Sequence, residues 1–248
     1  MLYVTDPSEG ASSAVFQKLS PLHKKKMFDR VVLALPASSK GQADGFADPG
    51  IPFTTRTIGA FSYGEIMAAA RDERASCIAA DLDRDAHGTA LRELALHSPL
   101  PVLVLDRNAA EGGGLLDHVI FATDWSPASE KAMERILALG DLIYELDIIH
   151  VISEKLTVKG MRELKERLEH TRKVCLNEGI NAESHIYAGD VAEEIVTASE
   201  DYRGSIIIMG SGTEKTLWQR VCKKSTVYSV IRQAAVPVFF IPVAAGDH

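Results

Sequence analysis

The chain has 248 residues, which at ~150 residues per domain lies between one large domain and two small ones. Apolar residues at 46% and charged residues at 25% give the balance of a folded globular protein, and exclude disordered and collagen-like classes. A formal charge of −7 argues against a nucleic-acid partner, which needs a basic face.

From the N-terminus, Met1-Leu2-Tyr3-Val4-Thr5-Asp6 has no basic stretch leading into an apolar segment and no small-residue cleavage site, so it does not read as a secretory signal. The longest apolar runs, such as Val236 to Val243, are less than half the ~18 to 20 residues of a membrane helix. A cytoplasmic chain with no membrane span is expected. Cys77, Cys175 and Cys222 are far apart, with no C-x-x-C pair and no histidine at ligand spacing, so they read as reduced thiols and no metal set is expected. Lys24-Lys25-Lys26 and Lys223-Lys224 read first as solvated faces.

The chain contains an internal repeat. Met1 to Ser8 aligns with Val119 to Ser126 at an offset of 118, with Thr-Asp-x-Ser in both, and the same offset without a gap places Asp29 to Leu33 under Asp147 to Val151. Thr57 to Met67 aligns with Ile186 to Val196 at 129, and Leu100 to Leu105 with Val236 to Ile241 at 136. The rising offsets place a loss of 11 residues between the second and third blocks of the first copy and of 7 before its last strand. Two diverged domains are expected, at 1–106 and 116–243, with a linker at 107–115 punctuated by Glu111-Gly112-Gly113-Gly114 and a tail at 244–248.

In the second copy, His118 to Thr123 reads as a strand. Ser126 is placed to cap a helix with Pro127 at its first position and Glu130 in its first turn. Ala132, Ile136, Leu139 and Ile143 continue that helix, and Asp147 to Ile152 forms a second buried strand. Met161, Leu164, Leu168 and Cys175 mark a long surface helix ending near Asn177-Glu178-Gly179. Ala182 to Tyr187 is a strand, Asp190 caps a helix through Ala198, and Ser205 to Met209 is an apolar strand. A helix over Thr226 to Gln233 leads into Val236 to Ile241. Alternating helices and apolar strands predict a parallel sheet covered on both faces, with ligands beyond the carboxyl ends of the strands.

Those ends carry the candidate residues. Asp124 is either a capping carboxylate, the commoner use of aspartate there, or an acceptor for a base or ribose of a nucleotide. Gly210-Ser211-Gly212-Thr213 follows the fourth strand and lets a ligand approach backbone N–H groups. Lys223-Lys224-Ser225-Thr226 places two cations and two hydroxyls beside a helix N-terminus, suited to an anion. The run Gly210 to Thr216 is not a Walker A loop, because Glu214 replaces the glycine before the lysine. No Ser, His and Asp set or H-E-x-x-H motif suggests catalysis. His150, inside an apolar strand, reads as a satisfied core histidine.

Together, Val119 to Ser126, His150-Val151, Ile206 to Ser211, Ser225-Thr226, Val230-Ile231-Arg232 and Val236-Pro237-Val238 resemble the universal stress protein family. The resemblance covers nearly the whole chain as a tandem pair. It implies an α/β fold of two Rossmann-like domains, adenine nucleotide alpha hydrolase-like, each a mostly parallel five-stranded sheet with helices on both faces. In the ATP-binding branch it implies a nucleotide held by a first-strand Asp, a second-strand Val and a G-x-x-G-x-nine-G-[ST] loop. Carried over, these are Asp124 at adenine or ribose, Val151 at the base, and Gly210, Gly212, Thr213, Lys224, Ser225 and Thr226 around the phosphates. The second motif glycine falls on Thr213, or on Gly212 with a gap, and the third falls on Lys224.

The first copy keeps Asp6 and Gly88-Thr89, but its phosphate turn reads Ala80-Asp81-Leu82-Asp83-Arg84-Asp85, where carboxylates replace donors. It is expected to bind no triphosphate. Two functions follow as expectations. One is a stress-response regulator binding ATP or AMP in the C-terminal domain alone, with Mg accompanying ATP and at most slow ATP hydrolysis. The other is a non-binding scaffold acting through protein contacts. In either case the apolar last strands must be covered, and the resemblance implies that they pair the copies as an intramolecular pseudo-dimer, with a homodimer as a further step.

Overall fold

The computed structural model describes residues 1–6, 18–39, 50–105, 113–212 and 225–243. Thr213, Cys222, Lys223, Lys224, most of the linker and the tail lie outside the described residues. The chain divides into two compact units that meet at Gly112–Gly113 in sequence. No helix among the described residues is long and apolar enough to cross a membrane.

The first unit runs β1 (Leu2–Thr5), α1 (Ser20–Lys24), β2 (Val31–Pro36), β3 (Phe53–Ile58), α2 (Tyr63–Asp72), β4 (Ile78–Asp81), α3 (Gly88–His97) and β5 (Val102–Val104). Its strands lie in the order β3-β2-β1-β4-β5, and each pair is parallel. The second unit runs β6 (His118–Ala122), α4 (Pro127–Ala138), β7 (Glu145–Ile152), α5 (Val158–Asn177), β8 (Ala182–Ala188), α6 (Val191–Asp201), β9 (Ile206–Ser211), α7 (Thr226–Gln233) and β10 (Val238–Pro242). Its order is β10-β9-β6-β7-β8, again parallel throughout. Successive residues of β1, β4 and β10 are buried, and so are four in a row in β6 and β9. Runs of this kind bury both faces of a strand, so the alternating α/β pattern produces the covered parallel sheet it predicts.

The expected caps form. Ser126 Oγ accepts from Ser129 N at 3.3 Å with Pro127 at the first helical position, and Asp190 accepts from the amides of Ala192 and Glu193. Two boundaries differ. The helix expected to reach Ile143 stops at Ala138, and a 3-10 turn at Gly140–Leu142 carries Leu139 and Ile143 into the core. At Gly140 a Cβ would lie 2.9 Å from Ile180, so the chain passes too close to that side chain for a helix of ordinary residues to continue. Gly210 and Ser211, expected in a loop, still belong to β9, opposite Ile241 and Pro242.

Strand register aligns the two copies residue by residue. Leu2 pairs with Val32 and Ile78, as Ile120 pairs with Asp147 and Ile207. The offset is therefore 118 at β1, 129 at β4 and, through Ile78 with Val102 and Ile207 with Val238, 136 at β5. At β2 it is 115, because Val32 takes the place of Asp147. The ungapped match of Asp29 with Asp147 is thus three residues out of register. Apolar strands tolerate such slips in sequence, since several alignments keep a hydrophobic run opposite a hydrophobic run.

Candidate functional site

In the second sheet the strand order reverses at β6. The chain moves to β7 and β8 on one side and returns to β9 on the other. At such a switch point the connections leave in opposite directions and open a crevice at the carboxyl ends of the strands. Asp124 stands just beyond β6 and Gly210 near the end of β9, on the two sides of that crevice.

The β6–α4 turn is built around Asp124. Its Oδ1 accepts from Ser126 N at 3.0 Å and from Ser129 Oγ at 2.5 Å, while Asp124 N donates to Ser129 Oγ at 3.3 Å. Oδ2 accepts no hydrogen bond among the described residues, and Asp124 as a whole is exposed. Burial pushes the Asp124 carboxyl up, but the bonds from Ser126 and Ser129 outweigh it and hold the group below its ordinary value of 3.8. The residue is thus an ionised acceptor with one oxygen fixed and the other available to an N–H or O–H of a ligand. Both readings of Asp124, as a turn carboxylate and as a ligand acceptor, are compatible with this geometry.

Gly210 has a specific steric role. A Cβ there would collide with the backbone of Ala128 and Ser129 and lie 2.8 Å from the Ala128 Cβ. The glycine lets the end of β9 close against the first turn of α4, which brings its backbone to the Asp124 turn. Gly212 is exposed just past the end of β9. Ser225 caps α7, with Tyr228 N donating to its hydroxyl at 3.3 Å, and Thr226 is the first helical residue. An amphipathic helix of this kind offers its first amide groups to an anion. Val151 is half-buried in β7 opposite Tyr187 of β8, one strand away from Asp124.

Two side chains that sequence reasoning did not assign to the crevice line its β7 side. His150 Nδ1 donates to the Thr123 carbonyl at 2.8 Å, so the histidine is hydrogen-bonded but only half-buried. Trp125 packs against it with the rings tilted at 33° and centroids 4.7 Å apart, donates from Nε1 to Thr171 Oγ1 at 3.2 Å, and lies beneath the Arg167 guanidinium at 4.7 Å. Its backbone sits in the left-handed region at φ 54°, unusual for a large residue. The clue was the aromatic in Thr-Asp-Trp-Ser, whose direction depends on that dihedral and cannot be read from spacing.

The first unit differs at the equivalent place. Asp81, paired with Thr5 at the end of β4, occupies the position that Gly210 holds in β9. It is fully buried, and its Oδ2 accepts from Tyr3 and Thr5 hydroxyls, each at 3.1 Å. Asp83 accepts from the amides of Asp85 and Ala86, so it caps its own turn. The carboxylates expected to line a phosphate turn therefore separate into one core acceptor and one turn former.

Sheet order and crevice together define a Rossmann-like α/β protein built twice. The model of the universal stress protein family matches residues 116–242, just over half of the 248, and the chain belongs to that family. A universal stress protein of Methanocaldococcus jannaschii is 27% identical over 151 residues, covering 50% of this chain and 93% of that one. The crystal structure of a universal stress protein from Archaeoglobus fulgidus matches with a TM-score of 0.73 and 21% identity, covering 99% of this chain and 97% of that chain. A universal stress protein from Pseudomonas aeruginosa matches with a TM-score of 0.67 and 14% identity, covering 97% of this chain and 92% of that chain. The last two likenesses concern the fold.

Proposed function

We propose that this chain is a stress-response regulatory protein that binds one adenine nucleotide, ATP or AMP, in its second unit. The observation that carries the reading is the pairing of an ionised Asp124, with Oδ2 available, and a side-chain-free Gly210 across the switch point of the second sheet. Asp124 accepts from the adenine or ribose, Val151 contacts the base, and backbone near Gly210 and Gly212 with Ser225 and Thr226 at the start of α7 receives the phosphates. Thr213 and Lys224 belong to the same proposed loop, and Mg2+ accompanies ATP. The first unit, residues 1–106, is a partner without a nucleotide, because Asp81 fills the place of Gly210 with a buried carboxylate that repels phosphate. The apolar last strands of the two copies suit pairing as a pseudo-dimer, since bare apolar edges must be covered.

A second reading, a scaffold without nucleotide, is favoured by the structural uses of the same residues. Asp124 organises a turn, Gly210 relieves a collision and Ser225 caps a helix, each of which suffices to explain the residue. Denaturing the purified protein and measuring released nucleotide by absorbance and mass separates the two. Adenine nucleotide recovered from wild type and lost from Asp124→Ala supports binding; protein free of nucleotide that also takes up none on titration supports the scaffold.

A further inference from the structure

Five ligand-bearing side chains meet on one face of the second sheet. Register places His118 beside Glu145, Asp147 beside Glu183, and His185 beside Ile149. Alternate residues of a strand share a face, so these three strands bring two imidazoles and three carboxylates together. The cluster stands toward the starts of β6, β7 and β8, away from Asp124 and Gly210, and has no part in the proposed nucleotide site.

Asp147 is its centre and is 5% exposed. Its Oδ2 accepts from His118 Nε2 at 2.6 Å and its Oδ1 from His185 Nε2 at 2.9 Å. Glu183 Oε2 lies 3.9 Å from the same His185 nitrogen, and one ligand atom each from Asp147, Glu183 and His185 falls within 4.8 Å of the others. On the far side of its ring, His185 Nδ1 is 3.0 Å from the Tyr202 hydroxyl, with the two rings stacked at 4.4 Å.

We propose that Asp147, Glu183 and His185 form a binding site for a divalent transition-metal ion, Zn2+, with water in the fourth position. One nitrogen and two carboxylate oxygens suit zinc, whereas magnesium and calcium prefer oxygen alone. A tetrahedral ion about 2.1 Å from each ligand sets them ~3.4 Å apart; the two separations from His185 Nε2, 2.9 Å to Asp147 and 3.9 Å to Glu183, bracket that value, and the two carboxylates lie within 4.8 Å of each other. Glu183, whose side chain is 76% exposed, is the arm that closes on an ion arriving from solvent.

The surrounding groups match the needs of such a site. A metal on His185 Nε2 requires the other tautomer of the ring: the Nε2 proton is lost to solvent and one is taken up at Nδ1, which then donates to the Tyr202 oxygen, the hydroxyl rotating to become the acceptor. His118 keeps its N–H on the other oxygen of Asp147 and holds the carboxylate in place. Outer partners of this kind orient metal ligands. His185, Tyr187 and Tyr202 also border an open groove of about 570 Å³. In the first unit Val32, Thr54 and Arg56 stand at the equivalent positions, and Arg56 is ion-paired with Asp72 and Glu73, so the site is not repeated there.

The test is calorimetric titration of metal-free, full-length protein with zinc chloride, repeated with Co2+ to read tetrahedral coordination by absorbance. Wild type is expected to take up one ion per chain. Glu183→Gln, an exposed and isosteric change that leaves the fold intact, weakens binding about tenfold or more. His185→Gln, checked for folding by circular dichroism, removes saturable binding, and the exposed control His170→Gln leaves it unchanged. A wild type that does not saturate, or either site variant binding as tightly as wild type, overturns the proposal.

Discussion

Ser129 Oγ lies 2.5 Å from Asp124 Oδ1, and the backbone of the same serine is one of the groups that exclude a side chain at Gly210. The first turn of α4 therefore couples the two sides of the crevice: it orients the carboxylate and sets how closely β9 approaches it. Changes at any of the three residues are felt by the other two.

Gly210→Ala tests the close approach. A methyl group has no space against Ala128 and Ser129, so β9 or α4 must shift. Overpacking of this kind costs about 1 to 3 kcal/mol. Denaturant unfolding should show the loss, with weaker nucleotide binding in parallel. Gly64→Ala, where a Cβ meets nothing within 4 Å, should show no such loss.

Acid titration tests the state of Asp124. Its folded pKa is depressed below 3.8, so its contribution to stability is fully present above the unfolded value and is lost as pH falls through the folded value. The difference in unfolding midpoint between wild type and Asp124→Asn should be constant near neutral pH and shrink below about pH 4. A difference that grows with acid contradicts the hydrogen-bond assignment.

Asp81 makes a complementary prediction in the first unit. Asp81→Ala leaves two buried hydroxyls, Tyr3 and Thr5, without the acceptor they share. Loss of a buried hydrogen-bond acceptor costs about 1 to 3 kcal/mol. The variant should be clearly destabilised in thermal unfolding, and it should gain no second nucleotide, because removing the carboxylate supplies no donors.

Trp125 should report occupancy of the crevice. It packs between His150 and Arg167 beside the Asp124 turn. In a Trp218→Phe background, adenine nucleotide should change Trp125 fluorescence saturably. Asp124→Ala should abolish that change while leaving the free-state spectrum close to that of its parent.

Much of this organisation is readable from residues alone. Ser126-Pro127, Asp190 and Gly179 mark helix ends through local chemistry, which acts over one turn and survives divergence. The offsets of 129 and 136 also agree with register, because Gly and Pro punctuation anchors those blocks. The three-residue slip at β2 is not legible in the residues, because an apolar run looks alike at several alignments. Gly210 reads as part of a ligand loop, because spacing cannot reveal that Ala128, 82 positions earlier, packs against it. The cluster at Asp147 was invisible for the same reason: His118 and His185 are 67 residues apart and meet through parallel pairing alone.

The most direct test of the account is the nucleotide stoichiometry of the purified chain, measured by calorimetric titration with ATP and AMP after removal of any retained ligand. The account predicts one site per chain, lost in Asp124→Ala and retained in Asp6→Ala. Two sites per chain, or one site that survives Asp124→Ala and disappears in Asp6→Ala, would contradict it.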